Sequence, residues 1–146
     1  MAKSNIPAAV QELVRQRAHG YCEYCMAPSG FSPDSFHFDH ILPLSVGGGS
    51  DPSNLAFTDG GCNGHKHKKT HHFDPLTHQY VRLFHPRLDS WRTHFEWSED
   101  ETLIIGLTAI GRATVDSLHM NRESNVNLRR LLISAGLHPP KIYPGE

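Results

Sequence analysis

The chain has 146 residues, a length that suits one compact domain with a core of useful size. Apolar residues make up 38 % and charged residues 20 %, a balance that excludes a disordered chain and predicts a globular protein. Apolar runs such as Leu103–Ile105 fall far short of the roughly 20 residues that a membrane span needs. Gln, Glu and Arg interrupt the apolar positions of the first 17 residues, so we expect no signal peptide and a cytoplasmic location.

Charge is balanced over the whole chain but not along it. Lys and Arg total 14 against 15 Asp and Glu, for a formal net charge of -1. Between Gly60 and Arg92, however, six basic residues stand against two acids, and six of the 12 histidines lie in the same region. Such a region suits phosphate, metal or acid–base chemistry, and a solvated histidine-rich loop is the alternative.

The N-terminal half predicts a helix followed by two strands and a second helix. A proline in the first turn and an apolar stripe predict a helix from about Pro7 to Ala18. Alternating aromatic and β-branched residues predict a strand over 36–41, with a return strand over 54–57 after three consecutive glycines. A short basic helix is expected from about Cys62 to Lys69.

The C-terminal half predicts three short strands and two helices, which we interpret as structural. The strands are expected over 80–84, 95–97 and 102–107. Thr108 can cap a helix through about Met120, and Asn121 can cap a last helix that ends near Ala135.

The residues that carry chemistry lie between Cys22 and Lys69. The stretch FHFDHILPLSVGGGSDPSNLAF, followed by CNGHK, resembles the HNH nuclease motif. The resemblance covers about Val14 to Lys69 and implies an α+β fold. Its core would be of the ββα-metal (His-Me finger) HNH type, with an N-terminal helix, small strands and two C-terminal helices. We expect residues 1–146 to form a single HNH nuclease domain, with a core of about 14–69 and a C-terminal extension of about 70–146.

The resemblance also implies an activity, the metal-dependent hydrolysis of DNA phosphodiester bonds. His40 occupies the general-base position, and free imidazole titrates near pH 6.5, so histidine can accept a proton near neutrality. Asp39 and Asn63 would hold the catalytic ion, while Asn54 would tie a loop to the backbone and help to orient the base. Many family members have His where this chain has Asn63, and a carboxamide oxygen favours Mg²⁺ or Mn²⁺. His67, four residues after Asn63, is an alternative ligand.

Three lysines are candidates for contact with DNA. Lys66 matches the lysine of the motif and is expected to meet a DNA phosphate. For Lys68 and Lys69, contact with DNA is one interpretation. The other is that they complement the helix dipole without any ligand, as basic residues at a helix end do.

The cysteines indicate a second, structural ion. Three cysteines cannot all pair within one chain, and Cys22 and Cys25 have the spacing of a metal knuckle, which favours zinc over a disulfide. Cys62 would be the third ligand. Family members with this knuckle usually have another cysteine at the position of Asp59, so Asp59 or His65 would be the fourth ligand, and loss of zinc is the alternative.

Two other functions are alternatives to this DNA endonuclease. One is a non-catalytic module that binds zinc and nucleic acid, which has no reason to retain Asp39, His40, Asn54 and Asn63 together. The other is a nuclease effector of a bacterial toxin or phage-defence system, which uses the same chemistry.

Overall fold

A computed structural model describes residues 5–146 and has the predicted α+β composition. Five α-helices and three two-stranded antiparallel sheets make up the regular structure of this part of the chain. None of its helices has the length and apolar character that crossing a membrane requires.

The first helix, α1, spans Ala8–Arg17 and agrees with the prediction. Pro7 stands at its N-cap position, where a missing backbone N–H costs nothing. Val14 is fully buried against the first sheet, in a small apolar cluster with Leu55 and Phe57. The helix therefore covers one face of the strands that carry the motif.

The predicted β-β-α order is confirmed. Strand β1 (Phe36–His40) pairs antiparallel with β2 (Leu55–Asp59), so that His40 lies opposite Leu55 at one end. Helix α2 (Gly60–Lys66) follows directly and is capped by Asp59, whose carboxylate accepts a hydrogen bond from the Cys62 N–H at 2.7 Å.

The bounds of α2 correct the prediction of a helix over 62–69. The helix begins two residues earlier, because Asp59 caps it, and ends at Lys66. His67 has a φ of 50°, which helical residues do not adopt, so the chain leaves the helix at this position.

Two further hairpins follow. Strands β3 (His71–Phe73) and β4 (Tyr80–Arg82) pair with each other, and β3 was not predicted. After a one-turn helix α3 (Trp91–His94), β5 (Phe95–Trp97) pairs with β6 (Ile104–Gly106).

Two helices close the chain. Helix α4 (Ala109–Ser117) has the predicted cap, since the Thr108 side chain accepts a hydrogen bond from the Gly111 N–H. Helix α5 (Glu123–Ser134) lacks the predicted Asn121 cap. The Asn121 side chain instead binds both backbone groups of Ile104, which ties the start of α5 to β6.

The main core joins both halves of the chain. Its buried members come from the cysteine knuckle, the end of β1, the aromatic segment around α3 and the C-terminal helices. Trp91, Phe84 and Phe95 are buried and Trp97 packs against them, so the aromatic residues belong to the core as predicted. The two halves of the chain therefore share this core.

Candidate active site and metal cluster

Three of the four candidate catalytic residues, all except Asn54, line an open cleft of about 860 Å³ at the end of β1. The walls combine the end of β1, the loop that follows it, helix α2 and the start of α1. Asp39, His40 and Asn63 all line this cleft, together with His67 and Lys68. Adjacent strand residues normally point to opposite faces, yet the strand end lets both Asp39 and His40 border the same space.

Asp39 is buried and forms an ion pair with Lys66. Its Oδ2 lies 3.0 Å from the Lys66 Nζ. The alignment does not satisfy hydrogen-bond geometry, so this buried oxygen keeps acceptor capacity. Burial raises the pKa of Asp39, and the charge of Lys66 opposes that shift. A buried carboxylate with a free lone pair at the wall of a cleft is a suitable ligand for a hard divalent ion.

The position of Lys66 weighs against the expectation that it contacts DNA phosphate. Only 2 % of its side chain is exposed, and its Nζ also lies near the carbonyl oxygens of His40 and Ile41, at 3.4 and 3.3 Å. The lysine stem is buried beneath the end of β1, so its charge supports Asp39 from inside the protein. Lys68, by contrast, is exposed and lines the cleft.

His40 is held by a residue that sequence reasoning did not identify. The Nε2 of His40 lies 3.0 Å from the Ser50 Oγ, across the glycine-rich loop. The direction of this hydrogen bond depends on the tautomer of the imidazole. Ser50 follows three consecutive glycines, and nothing in its local sequence distinguishes it from an ordinary loop serine.

Asn54 closes the loop that carries Ser50. Its Oδ1 accepts a hydrogen bond from the Leu42 N–H at 2.9 Å, and its Nδ2 donates to the carbonyls of Leu42 and Gly49 at 3.0 and 2.8 Å. Gly48 is required here, because a Cβ atom would overlap the Leu42 carbonyl. Through these three hydrogen bonds, the Asn54 side chain holds Leu42 and Gly49 together within the loop that follows β1.

Asn63 and His67 both border the cleft, so the ambiguity between them persists in the structure. Asn63 lies within α2, whereas His67 follows the helix and donates its backbone N–H to the Asn63 carbonyl at 2.9 Å. Lys69 is turned away from the cleft, since its Nζ donates to the Ser117 carbonyl at 3.3 Å.

The three cysteines and Asp59 form a buried cluster. One donor atom from each of Cys22, Cys25, Cys62 and Asp59 lies within 4.8 Å of the other three. A tetrahedral zinc site has donor atoms about 3.3–3.8 Å apart, because Zn–O and Zn–S bonds measure about 2.0–2.3 Å. The four donors therefore fit a zinc ion after a small contraction. His65 is exposed and stacks on His119, so Asp59 is the better candidate for the fourth ligand.

The three buried thiols of the cluster differ in the direction in which their pKa values are shifted. Burial raises the pKa of Cys22 and Cys62 well above its ordinary value. Burial acts in the same direction on Cys25, but hydrogen bonds within the cluster outweigh it and lower that pKa. Burial and the neighbouring Cys25 raise the pKa of Asp59 to about 7. Zinc binding would displace the thiol protons, and the ion would compensate the negative charge of the buried sulfur atoms.

Comparison with known families gives a match, and it covers the segment that carries the candidate catalytic residues and the cysteine cluster. Residues 22–69 match the HNH endonuclease family. The HNH segment contains all four cluster residues, both strands of the first sheet and helix α2. Comparisons with curated proteins and with solved structures found no match.

The match confirms the predicted resemblance over this segment and indicates a nuclease-like or nucleic-acid-binding module. HNH endonucleases are in general hydrolytic nucleases that act on DNA with divalent metals. Residues 70–146 lie outside the match. Arg122, which belongs to that part, nevertheless contacts the cluster, a relationship that sequence reasoning missed because 63 positions separate it from Asp59.

Proposed function

We propose that this chain is a metal-dependent endonuclease that hydrolyses DNA phosphodiester bonds. The observation that carries the proposal is the convergence of Asp39, His40 and Asn63 on one open cleft within the HNH segment. A binding module needs a basic surface, but it has no use for a carboxylate, an imidazole and a carboxamide around one space.

Each residue has a role that its position supports. His40 accepts a proton from the attacking water, with Ser50 holding its ring and Asn54 fixing the loop. Asp39 and Asn63 offer the oxygen ligands for Mg²⁺ or Mn²⁺. Such an ion, when bound, would stabilise the negative charge that develops on the phosphate and the leaving oxygen. Lys68, exposed at the cleft, is the better placed of the basic residues to bind the DNA backbone.

The cysteine cluster is proposed to bind one structural zinc ion. It lies at the start of α2, where Cys62 immediately precedes Asn63, so the ion would fix the helix that carries a catalytic ligand. The three cysteines are free thiols, which suits a reducing compartment such as the cytoplasm.

Plasmid cleavage with purified protein tests the proposed activity. Wild-type protein with Mg²⁺ or Mn²⁺ should convert supercoiled plasmid to nicked or linear DNA. The His40→Ala variant should be about 10²–10⁴-fold slower, because it lacks the general base, yet should bind DNA nearly as well as the wild type. His71→Ala is a matched control, since His71 is exposed and lies outside the cleft.

The outcomes separate the enzyme from a binding module. A wild-type protein that binds DNA but leaves it intact with either ion would favour the non-catalytic function. A His40→Ala variant with more than half of the wild-type rate would show that another residue is the base.

Elemental analysis tests the zinc separately. We expect about one zinc per chain and a lower melting temperature after treatment with a strong chelator. Metal-free protein with an unchanged melting temperature would remove zinc from the proposal and leave the nuclease assignment in place.

A further inference from the structure

Two arginines from the C-terminal part of the chain, the partly buried Arg122 and the buried Arg129, lie outside the HNH segment. Arg122 immediately precedes α5, and Arg129 lies in the middle of that helix. The nuclease chemistry proposed above uses neither of them. Their surroundings indicate what they do.

Arg122 contacts two members of the cluster directly. Its NH2 group donates to both carboxylate oxygens of Asp59, at 2.9 and 3.0 Å, and its NH1 group lies 3.7 Å from the Cys62 sulfur. Its guanidinium packs so closely on the start of α2 that a Cβ atom at Gly61 would overlap it. Arg122 thus orients Asp59 as a second layer around the site, in the way that hydrogen-bonded partners orient metal ligands.

Arg129 is a buried cation that lacks a carboxylate partner. Its residue is 4 % exposed, and its guanidinium donates to the carbonyls of Thr102 and Met120 and to the Asn121 side chain, at 2.7–2.9 Å. All three acceptors are neutral, and no acidic residue within 5–146 forms an ion pair with it. A buried charge is costly unless an opposite charge compensates it.

The cluster would provide that opposite charge once it binds a metal. Arg129 donates to the carbonyl of Met120, which packs in the same core as the three cysteines. Burial lowers the pKa of Arg129, while Cys25, Cys62 and Asp59 act on it in the opposite direction. Three thiolates and one carboxylate carry four negative charges, of which a zinc ion cancels two. Two guanidinium groups cancel the remaining two.

We propose that Arg122 and Arg129 are the counter-charges of a zinc–thiolate cluster, and that the ion thereby fastens helix α5 to the HNH segment. This inference rests on the zinc proposed above. It makes the C-terminal helix part of the metal site, so that metal affinity depends on residues outside the HNH segment and the order of α5 depends on the metal.

Zinc affinity, measured by competition with a chromophoric chelator, tests the arginines. Arg129→Met and Arg122→Met should each bind zinc about 10–100-fold more weakly, the usual effect of losing a partner that supports a ligand. Arg129→Lys, which keeps the charge, should recover part of the loss. Arg130→Met is the matched control, because Arg130 is the exposed neighbour on the same helix, and its affinity should equal that of the wild type.

Hydrogen exchange on the wild-type protein provides a measurement that needs no variant to fold. Removal of zinc should speed amide exchange in α5 more than in α1, which packs in the other apolar cluster. Folded Arg129→Met with wild-type affinity, or exchange in α5 that is unchanged by zinc removal, would overturn the inference. Wild-type protein that binds no zinc would overturn the zinc proposal and this inference together, whereas plasmid cleavage would still test the nuclease independently.

Discussion

The Nζ of Lys66 lies 3.0 Å from Oδ2 of Asp39, and both side chains are almost completely buried. One partner comes from β1 and the other from the last residue of α2. The ion pair therefore joins the two elements that carry the proposed metal ligands, and it sets the charge around Asp39 before any ion or DNA is present.

Lys66→Met should destabilise the protein by about 3–5 kcal/mol, because it leaves the Asp39 carboxylate buried without its partner. Urea unfolding followed by circular dichroism measures the change. Lys68→Met is the matched control and should alter stability by less than about 0.5 kcal/mol, since Lys68 is exposed. If Lys66→Met kept wild-type stability but lost DNA affinity, Lys66 would contact a DNA phosphate, as the motif predicts.

Asn54→Ala should release the loop after β1 and slow DNA cleavage, because three hydrogen bonds to Leu42 and Gly49 disappear. Amide exchange at Leu42 should become faster. Asn54→Asp would place a carboxylate oxygen against the carbonyls of Leu42 and Gly49, which repel it, so it should be at least as impaired as Asn54→Ala in cleavage rate. Unchanged exchange at Leu42 combined with lost cleavage would indicate a direct chemical role for Asn54.

Metal titrations of cleavage should distinguish Asn63 from His67. We expect Asn63→Ala to require a higher Mg²⁺ concentration for half-maximal rate and to retain DNA affinity, with a smaller effect of His67→Ala. Asn63→His should shift the preference towards Ni²⁺ or Co²⁺, which bind imidazole better than a carboxamide. A raised metal requirement in the His67 variant alone would make His67 the ligand.

Asp74→Asn should weaken the protein at neutral pH and have a smaller effect in acid. The Asp74 carboxylate accepts two hydrogen bonds from Arg112, both at 2.9 Å, and others from Thr77 and the Leu76 N–H. These bonds hold the pKa of Asp74 well below its usual range. Its contribution is therefore complete above the unfolded value of about 3.9 and is lost as the pH falls from there through the lower folded pKa.

Urea midpoints at pH 7 and pH 3 measure this difference. The difference in urea midpoint between the wild type and Asp74→Asn should be smaller at pH 3 than at pH 7. Asp51→Asn, at an exposed loop position, is the control and should leave the midpoint unchanged at both values. A larger difference in acid would contradict the assigned role of the Arg112 pair.

Local patterns in the sequence predicted most of the regular structure. Helix α1, strands β1 and β2, the Thr108 cap and the termination of the last helix near Gly136 follow from periodicity and from the conformational preferences of single residues. The motif also identified Asp39, His40 and Asn63, which the fold brings to one cleft. These features depend on residues close in sequence, or on a spacing that a family shares.

Tertiary packing alone decided the surroundings of those residues. Lys66 carries the same charge as Lys68, but its stem lies beneath β1 while Lys68 stays at the surface, and nothing in the run KHKK distinguishes them. The sequence left Asp59 and His65 as alternatives for the fourth ligand, and packing brings Asp59 to the three cysteines and to Arg122, 63 residues away. Burial gives these charges their effect, because they interact strongly only where water is excluded, and folding determines which of them are buried.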